Sequence, residues 1–244
     1  VRQTTADRVA NKTHAPPYEI EIICKDGRRL PVEINARLIY ENGRPAAIQG
    51  IARDTSERRR DERVKQRLSR QAALRADISD ILTAGDITLR QSLQKCAEAI
   101  VAHLDAALAR IWLLNDKEQT LELQASARIY TRIHGAHARA PLRQFKMGPI
   151  AEEQKPHLTN DMANDPRVAD REWARREGLV SFAGFPLLIG DRLIGVIAMF
   201  AKHRLEPDML NSLEVVADKV VQGVQRRWIE EQRAAFLERE QAAR

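Results

Sequence analysis

The stretch SFAGFPLLIGDRLIGVIAMFAK, Ser181 to Lys202, holds two apolar runs separated by Gly190-Asp191. Two strand-length runs joined by such a pair read as an antiparallel hairpin, because glycine supplies the positive φ that a two-residue turn demands. It is the strongest strand signal in its half of the chain. Moving upstream, DREWARREGL reads as a short helix stopped by Gly178, and HLTND as a brief strand. PIAEEQ is a short helix with Pro149 near its start, where the missing N–H costs nothing. RIYTRIHGAHARAPLRQFKMG is a long irregular stretch, and ALARIWLLND with TLELQASA makes a strand pair around Asp116. LRQSLQKCAEAIVAHL places Leu89, Leu93, Cys96, Ala97, Ile100, Val101 and Leu104 on one helical stripe. Downstream of the hairpin the chain is helix to its end. Leu210, Leu213, Val216, Ala217, Val220, Val221 and Val224 cover one face, thinning out to Trp228, Phe236 and Leu237.

Residues 18 to 53 have a different character. YEIEII alternates apolar and acidic residues, so Tyr18, Ile20 and Ile22 share one face and Glu19 and Glu21 the other. Asp26-Gly27 and Asn42-Gly43 mark two hairpin turns, with Val32 and Ile34 alternating against Glu33 and Asn35 between them. The reading is a three-stranded meander. Three strands of this length cannot close a core alone, so this module is expected to be incomplete.

A charged segment joins the two parts. GIARDTSERRRDERVKQRL, Gly50 to Leu68, passes from a strand through Asp54-Thr55-Ser56 into a helix. Thr55 or Ser56 is placed to cap it, and Glu57 in the first turn suits the N-terminal dipole. Its thin apolar seam, Val64, Leu68, Leu74, Ile78 and Ile81, has the spacing of a two-helix contact. The expectation is a weak, adjustable coiled coil, interrupted at Gln71 and Arg75, that makes the protein a homodimer. Asp54, Thr55, Glu57, Leu68 and Leu74 are the residues expected to transmit signals.

The 244 residues carry a formal net charge of +6, much of it in the arginines of this helix. No recognition-helix pattern or interleaved aromatics accompany them, so a solvated face is expected rather than nucleic-acid binding. No apolar run approaches the roughly 20 residues of a membrane span, and no signal-peptide pattern appears. Cys24 and Cys96, the two cysteines, make no metal spacing and no disulfide framework, which fits a cytoplasmic location.

DGRRLPVEINARLIYENGRPAAIQGIARDTSERRR resembles the C-terminal half of a PAS domain, ending in that family's Asp-(Ile/Val/Thr)-(Thr/Ser)-Glu-Arg exit motif at Asp54 to Arg58. The front half, which carries much of the PAS cofactor pocket, is not matched. CAEAIVAHLDAALARIWLLN, GPIAEEQKPHLTNDM, DPRV and EGLVSFAGFPLLIGDRLIGVIAMFA resemble a GAF domain of the type found in bacterial sensor histidine kinases. These resemblances imply an α+β protein: part of a PAS domain (1–55), a linker helix (56–76), a GAF domain (77–226) and a coiled linker helix (227–244). They imply a sensory segment of a two-component protein, with the kinase module in a longer chain, since no phosphoacceptor box or ATP-binding motif occurs in these residues. Alternative readings are a ligand-regulated GAF module of a DNA-binding regulator, or a haem- or small-molecule-binding GAF protein.

No catalytic residue, metal site or cofactor is identified. His103 sits where a helix meets a strand and reads as structural. Cys96 lies on an apolar stripe, unlike a bilin-attachment thiol, and the pocket cysteines of the related free methionine sulfoxide reductases are missing. His134, His137 and His157 lack nearby carboxylate partners for a metal. Only Asn160 and Asp161 match the cyclic-nucleotide signature of the family. What stands out is a polar group around the expected pocket: Arg128, Arg132, Arg139 and Arg143 before the helix start at Gly148, and His157, Thr159, Asn160 and Asp161 after it. Phe182, Phe185, Trp112 and Trp173 are candidate walls. A helix N-terminus attracts anions, so a small anionic or amphiphilic ligand fits; so does a scaffold that dimerises without one.

Overall fold

The computed structural model describes residues 17–85, 87–128, 139–141, 148–168 and 170–242. The chain divides into two compact units, Val1–Leu68 and Ser69–Arg244.

In the first unit, strands β1 (Tyr18–Ile23), β2 (Arg29–Glu41) and β3 (Arg44–Asp54) form an antiparallel meander in the order β1-β2-β3. Tyr18, Ile20 and Ile22 pair with Ile34, Val32 and Leu30, while Glu19 faces Glu33 across the strands. At the second turn Asn42 and Gly43 both have positive φ, 51° and 76°, the mirror-image turn that matches strand twist. The first turn is looser. Only Gly27 has positive φ there, and its N–H bonds to the Cys24 carbonyl at 3.0 Å. Of the described apolar residues of this unit, Val32 alone is buried.

Helix α1 (Ser56–Thr83) follows, and the division between units falls within it. The Arg59 N–H bonds to the Thr55 carbonyl, so Thr55 occupies the cap position, but its hydroxyl donates to the Pro31 carbonyl at 3.2 Å. Asp54 supplies the capping oxygen instead, accepting the Ser56 N–H at 2.7 Å. Arg58 and Arg59 both bind Glu19, and Arg58 also lies 3.5 Å from Glu33. Facing carboxylates on β1 and β2 would repel; the exit arginines neutralise them and pin the start of α1 to the strands.

The second unit is built on a six-stranded antiparallel sheet, ordered β6-β5-β4-β9-β8-β7. Its strands are β4 (Leu108–Asn115), β5 (Thr120–Arg128), β6 (Arg139–Pro141), β7 (His157–Thr159), β8 (Ser181–Ile189) and β9 (Arg192–Ala201). The hairpin around Gly190-Asp191 is β8–β9. β6, three residues long, lies within the stretch read as irregular from sequence. Helix α2 (Leu89–Leu104) opens with a capping box: Thr88 and Gln91 exchange side-chain and backbone bonds. Its predicted stripe is buried, with Leu93, Cys96, Ala97 and Ile100 fully covered. Helix α5 (Met209–Ala242), α2 and the end of α1 share one core through Leu74, Ile78, Leu82, Ile100, Val216 and Val220, which joins Ile111 and Ile197 of the sheet. On the other face, the short helices α3 (Gly148–Glu152) and α4 (Arg171–Glu177) pack through Ile150 and Ala174 with Trp112, Met162, Phe182 and Phe200.

One sequence expectation changes here. Leu74, expected in an intermolecular seam, is 2% exposed inside this core, whereas Leu68 is 57% exposed. The seam spacing is real, but from Leu74 onward its partners include the chain's own α5. α1 and α5 run in the same sense: Gln71 donates to the Ser212 hydroxyl at 2.8 Å, and eleven residues on, Leu82 meets Gly223. His103, near the end of α2, is bonded to Asp77 of α1 at 2.7 Å.

Candidate functional site on the short-helix face

Strand pairing sets His157 opposite Gly184 and Thr159 opposite Phe182, so these side chains share the face that α3 covers. Gly184 is what admits α3: a Cβ there would lie 2.4 Å from Ile150 Cδ1 and 2.8 Å from Phe182 Cζ. Phe182, Phe200 and Trp173 continue the wall, with ring centroids 5.2 and 5.5 Å apart, and His157 sits 6.0 Å from Phe182. Trp112 belongs to the same cluster, but Phe185 packs into the opposite core.

His157 is held at both nitrogens. Nε2 lies 3.0 Å from Asp165 Oδ2, and Arg167 Nη1 lies 2.9 Å from Nδ1. A guanidinium only donates and a carboxylate only accepts, so these two contacts suit the tautomer that carries its proton on Nε2. The pair is largely enclosed, with side chains 14% and 12% exposed. Burial pushes the Asp165 carboxyl up, but hydrogen bonds from the Arg167 N–H, the Thr159 hydroxyl and His157 together outweigh it and hold it below the ordinary carboxylate value. Asp165 and Arg167 come from the DPRV segment, noted in the sequence only for its family resemblance; the Arg167 N–H closes a turn on Asp165 at 2.9 Å.

The remaining predicted residues divide. Asn160 is a clasp: its Oδ1 accepts from Ser181 and the Leu205 N–H, both at 2.7 Å, and its Nδ2 donates to the Leu205 carbonyl at 2.9 Å. Asp161 closes the following turn by accepting from Asn164 Nδ2 at 2.9 and 3.0 Å. Arg139 does not join the group. It lies on β6, at the opposite edge of the sheet from β7, and it pairs with Glu122 at 3.1 Å and Glu118 at 3.5 Å. Its register partner Glu122 sits beside Leu113, which packs into the core of α1, α2 and α5. Pairing skips Gln124 in β5, so parity along that strand cannot be extrapolated. Arg128 bonds the Ala106 carbonyl at 2.9 Å. Gly148 does begin α3, but five residues make a weak dipole, which removes the anion argument based on that helix start. Arg132, His134, His137 and Arg143 lie outside the described residues.

Among the described residues no group of three or more His, Cys, Asp or Glu is arranged to hold a metal. Cys96 faces the helix-side core, and burial pushes its thiol up to about 12, leaving it unreactive.

The profile of the family described as GAF domain matches residues 86–225, more than half of the chain. The chain belongs to the GAF domain family. Among solved structures, the A. aeolicus nlh2 GAF domain in an inactive state aligns with a TM-score of 0.56 at 17% identity, covering 66% of this chain and 99% of that one. The GAF domain of a Coxiella burnetii phosphoenolpyruvate-protein phosphotransferase gives 0.59 at 16%, covering 67% and 98%. Free methionine-R-sulfoxide reductase from Neisseria meningitidis, solved with its substrate, gives 0.52 at 16%, covering 64% and 90%. At such identities the likeness is one of fold. A curated relative, the methyl sulfide methyltransferase-associated sensor of Methanosarcina acetivorans, is 24% identical over 219 residues, which are 88% of this chain and 22% of that protein. Among the described residues no helix is long and apolar enough to cross a membrane.

Proposed function

We propose that the chain is the sensory, signal-relaying part of a bacterial two-component histidine kinase, with a PAS-type strand module ahead of the GAF domain. The observation that carries this reading is the course of the helices in the second unit. The end of α1 and the start of α5 lie side by side in the same sense, and α5 then continues to Ala242 with Ile229, Phe236 and Leu237 exposed. A helix that leaves its domain bearing apolar residues is suited to pairing with a second copy and to carrying a change in packing onward. The sensor name of the curated relative, whose match spans most of this chain, points the same way.

On this reading the protein works in the cytoplasm as a homodimer, catalysis belongs to a downstream kinase module, and the GAF face around His157, Thr159 and Phe182 receives a small amphiphilic or anionic ligand. Among the described residues Arg167 is a cation beside that face, whereas Arg139 lies at the opposite edge of the sheet. Sedimentation of the parent and of Phe236→Asp/Leu237→Asp tests the relay. A dimer that becomes a monomer supports it; a parent that sediments as a monomer ends it. Thermal melting with nucleotides, carboxylates and phosphates tests the ligand. A compound that stabilises the parent but not Arg167→Ala supports the site, and no shift with any compound favours the scaffold role.

A further inference from the structure

We propose that Arg226 and Arg227 clamp the exit helix of the GAF domain to the end of its entry helix, so that the two open and close as one joint. The proposal deepens the relay reading by naming the residues that couple input to output.

The last carbonyls of a helix have no intrahelical donors, and the last turn of α1 carries no basic residue of its own. Its partners come from α5. Arg226 Nη2 donates to the Leu82 carbonyl at 2.6 Å, and Arg227 Nη2 donates to the carbonyls of Ala84 at 3.1 Å and Ile87 at 2.6 Å. All three are charge-assisted bonds, and those to Leu82 and Ala84 lie at the negative end of the α1 dipole. Ile87 directly precedes Thr88, the N-cap of α2, so Arg227 grips both the end of α1 and the approach to α2.

Two neighbours fix the geometry. Glu230, one turn on, lies 3.6 Å from Arg226 and 3.9 Å from Arg227. Gly223, one turn back, lets the helices meet, since a Cβ there would fall 2.7 Å from Leu82 Cδ2 and 3.3 Å from its Cβ. Beyond the clamp α5 is exposed at Ile229, Phe236 and Leu237. The clamp therefore sits, beside Trp228, where α5 leaves the domain, and it closes on the residues that join the end of α1 to α2.

Hydrogen exchange of the full chain at single-residue resolution tests this. In Arg227→Gln, the amides of Leu82, Thr83 and Ala84 and those of Val224 to Ile229 are expected to exchange faster together, by roughly tenfold. Protection in β4, β8 and β9 stays at the parent level, and Arg233→Gln, on the exposed part of α5, exchanges like the parent. Faster exchange in one segment alone, or an even loss of protection across the domain, overturns the proposal. If Arg227→Gln does not fold, Arg227→Lys keeps the charge, loses the second bond, and should give the same paired opening at smaller amplitude; opening of one segment alone overturns it here too. The measurement needs no ligand, dimer or kinase, so its failure is distinguishable from failure of the relay reading.

Discussion

Ile51 of β3 and Ile197 of β9 both lie on antiparallel strands, yet Ile51 is 74% exposed and Ile197 is fully buried. The two units differ in what lies over the strands and in how the strands are written: β1 alternates apolar and acidic residues, whereas β9 is a continuous apolar run. The second unit has helices on both faces of its sheet and two cores. In the first, Ile23, Ile39, Ile48 and Ile51 remain exposed, and beyond the Thr55–Pro31 hydrogen bonds the strands hold the helix through surface ion pairs, which are individually weak. Alternation assigns residues to faces; only a second layer turns a face into a core.

The contrast can be broken within one helix. Leu74→Ala should destabilise the GAF domain by about 2–5 kcal/mol, while Leu68→Ala stays within about 0.5 kcal/mol, because only Leu74 sits in a packed core. Urea unfolding followed by circular dichroism measures both, and equal losses would mean that Leu68 also has a buried partner. Gly195→Ala probes the centre of the sheet: its Cβ would lie 2.2 Å from the Trp112 carbonyl oxygen, a backbone atom that cannot step aside. A cost of about 1–3 kcal/mol is expected, and an unchanged urea midpoint would show that β4 and β9 can separate locally. Limited trypsin digestion compares the units directly. Cleavage should begin within Val1–Leu68 and leave a resistant fragment carrying the GAF domain, and simultaneous loss of both would show equal stability.

The smallest effect is one of pH. The hydrogen bond from Arg59, then the charges of Arg59 and Arg58, hold the Glu19 carboxyl below its ordinary value of 4.5. A carboxyl lowered in the folded state stabilises above its unfolded pKa, and that contribution disappears as pH falls through the folded value. The first unit should therefore weaken below about pH 4.5, and Glu19→Gln should flatten that acid dependence. Amide exchange in β1 reports it; an identical slope in both proteins would rule out Glu19 as its source.

Much of this architecture was legible because it rests on local rules. Asn42-Gly43 required a turn, the alternation around Ile20 and Val32 set the faces, and the Leu93–Ile100 stripe announced a buried helix face. The GAF assignment came instead from resemblance to that family in segments such as GPIAEEQKPHLTNDM and EGLVSFAGFPLLIGDRLIGVIAMFA. Other features depended on information no short window holds. β6 is too brief to show alternation. The seam spacing at Leu74 is the same whether its partner is another chain or α5. Arg139 was read as part of an irregular loop beside the pocket, whereas it lies on β6, at the opposite edge of the sheet from β7. His157 and Phe182 were identified from their segments, but the grip of Asp165 and Arg167 on His157 arises only when the chain turns back at Pro166.

The shared sense of α1 and α5 also bears on how such proteins can be assembled by recombination. The chain traverses the GAF domain without reversing direction, so a whole domain could be spliced in or out between two helical segments and leave both flanks pointing as before. The constraint is angular. Each helical residue turns the downstream part by about 100°, so a seven-residue insertion after Trp228 nearly restores the original azimuth while a five-residue insertion turns it to the far side.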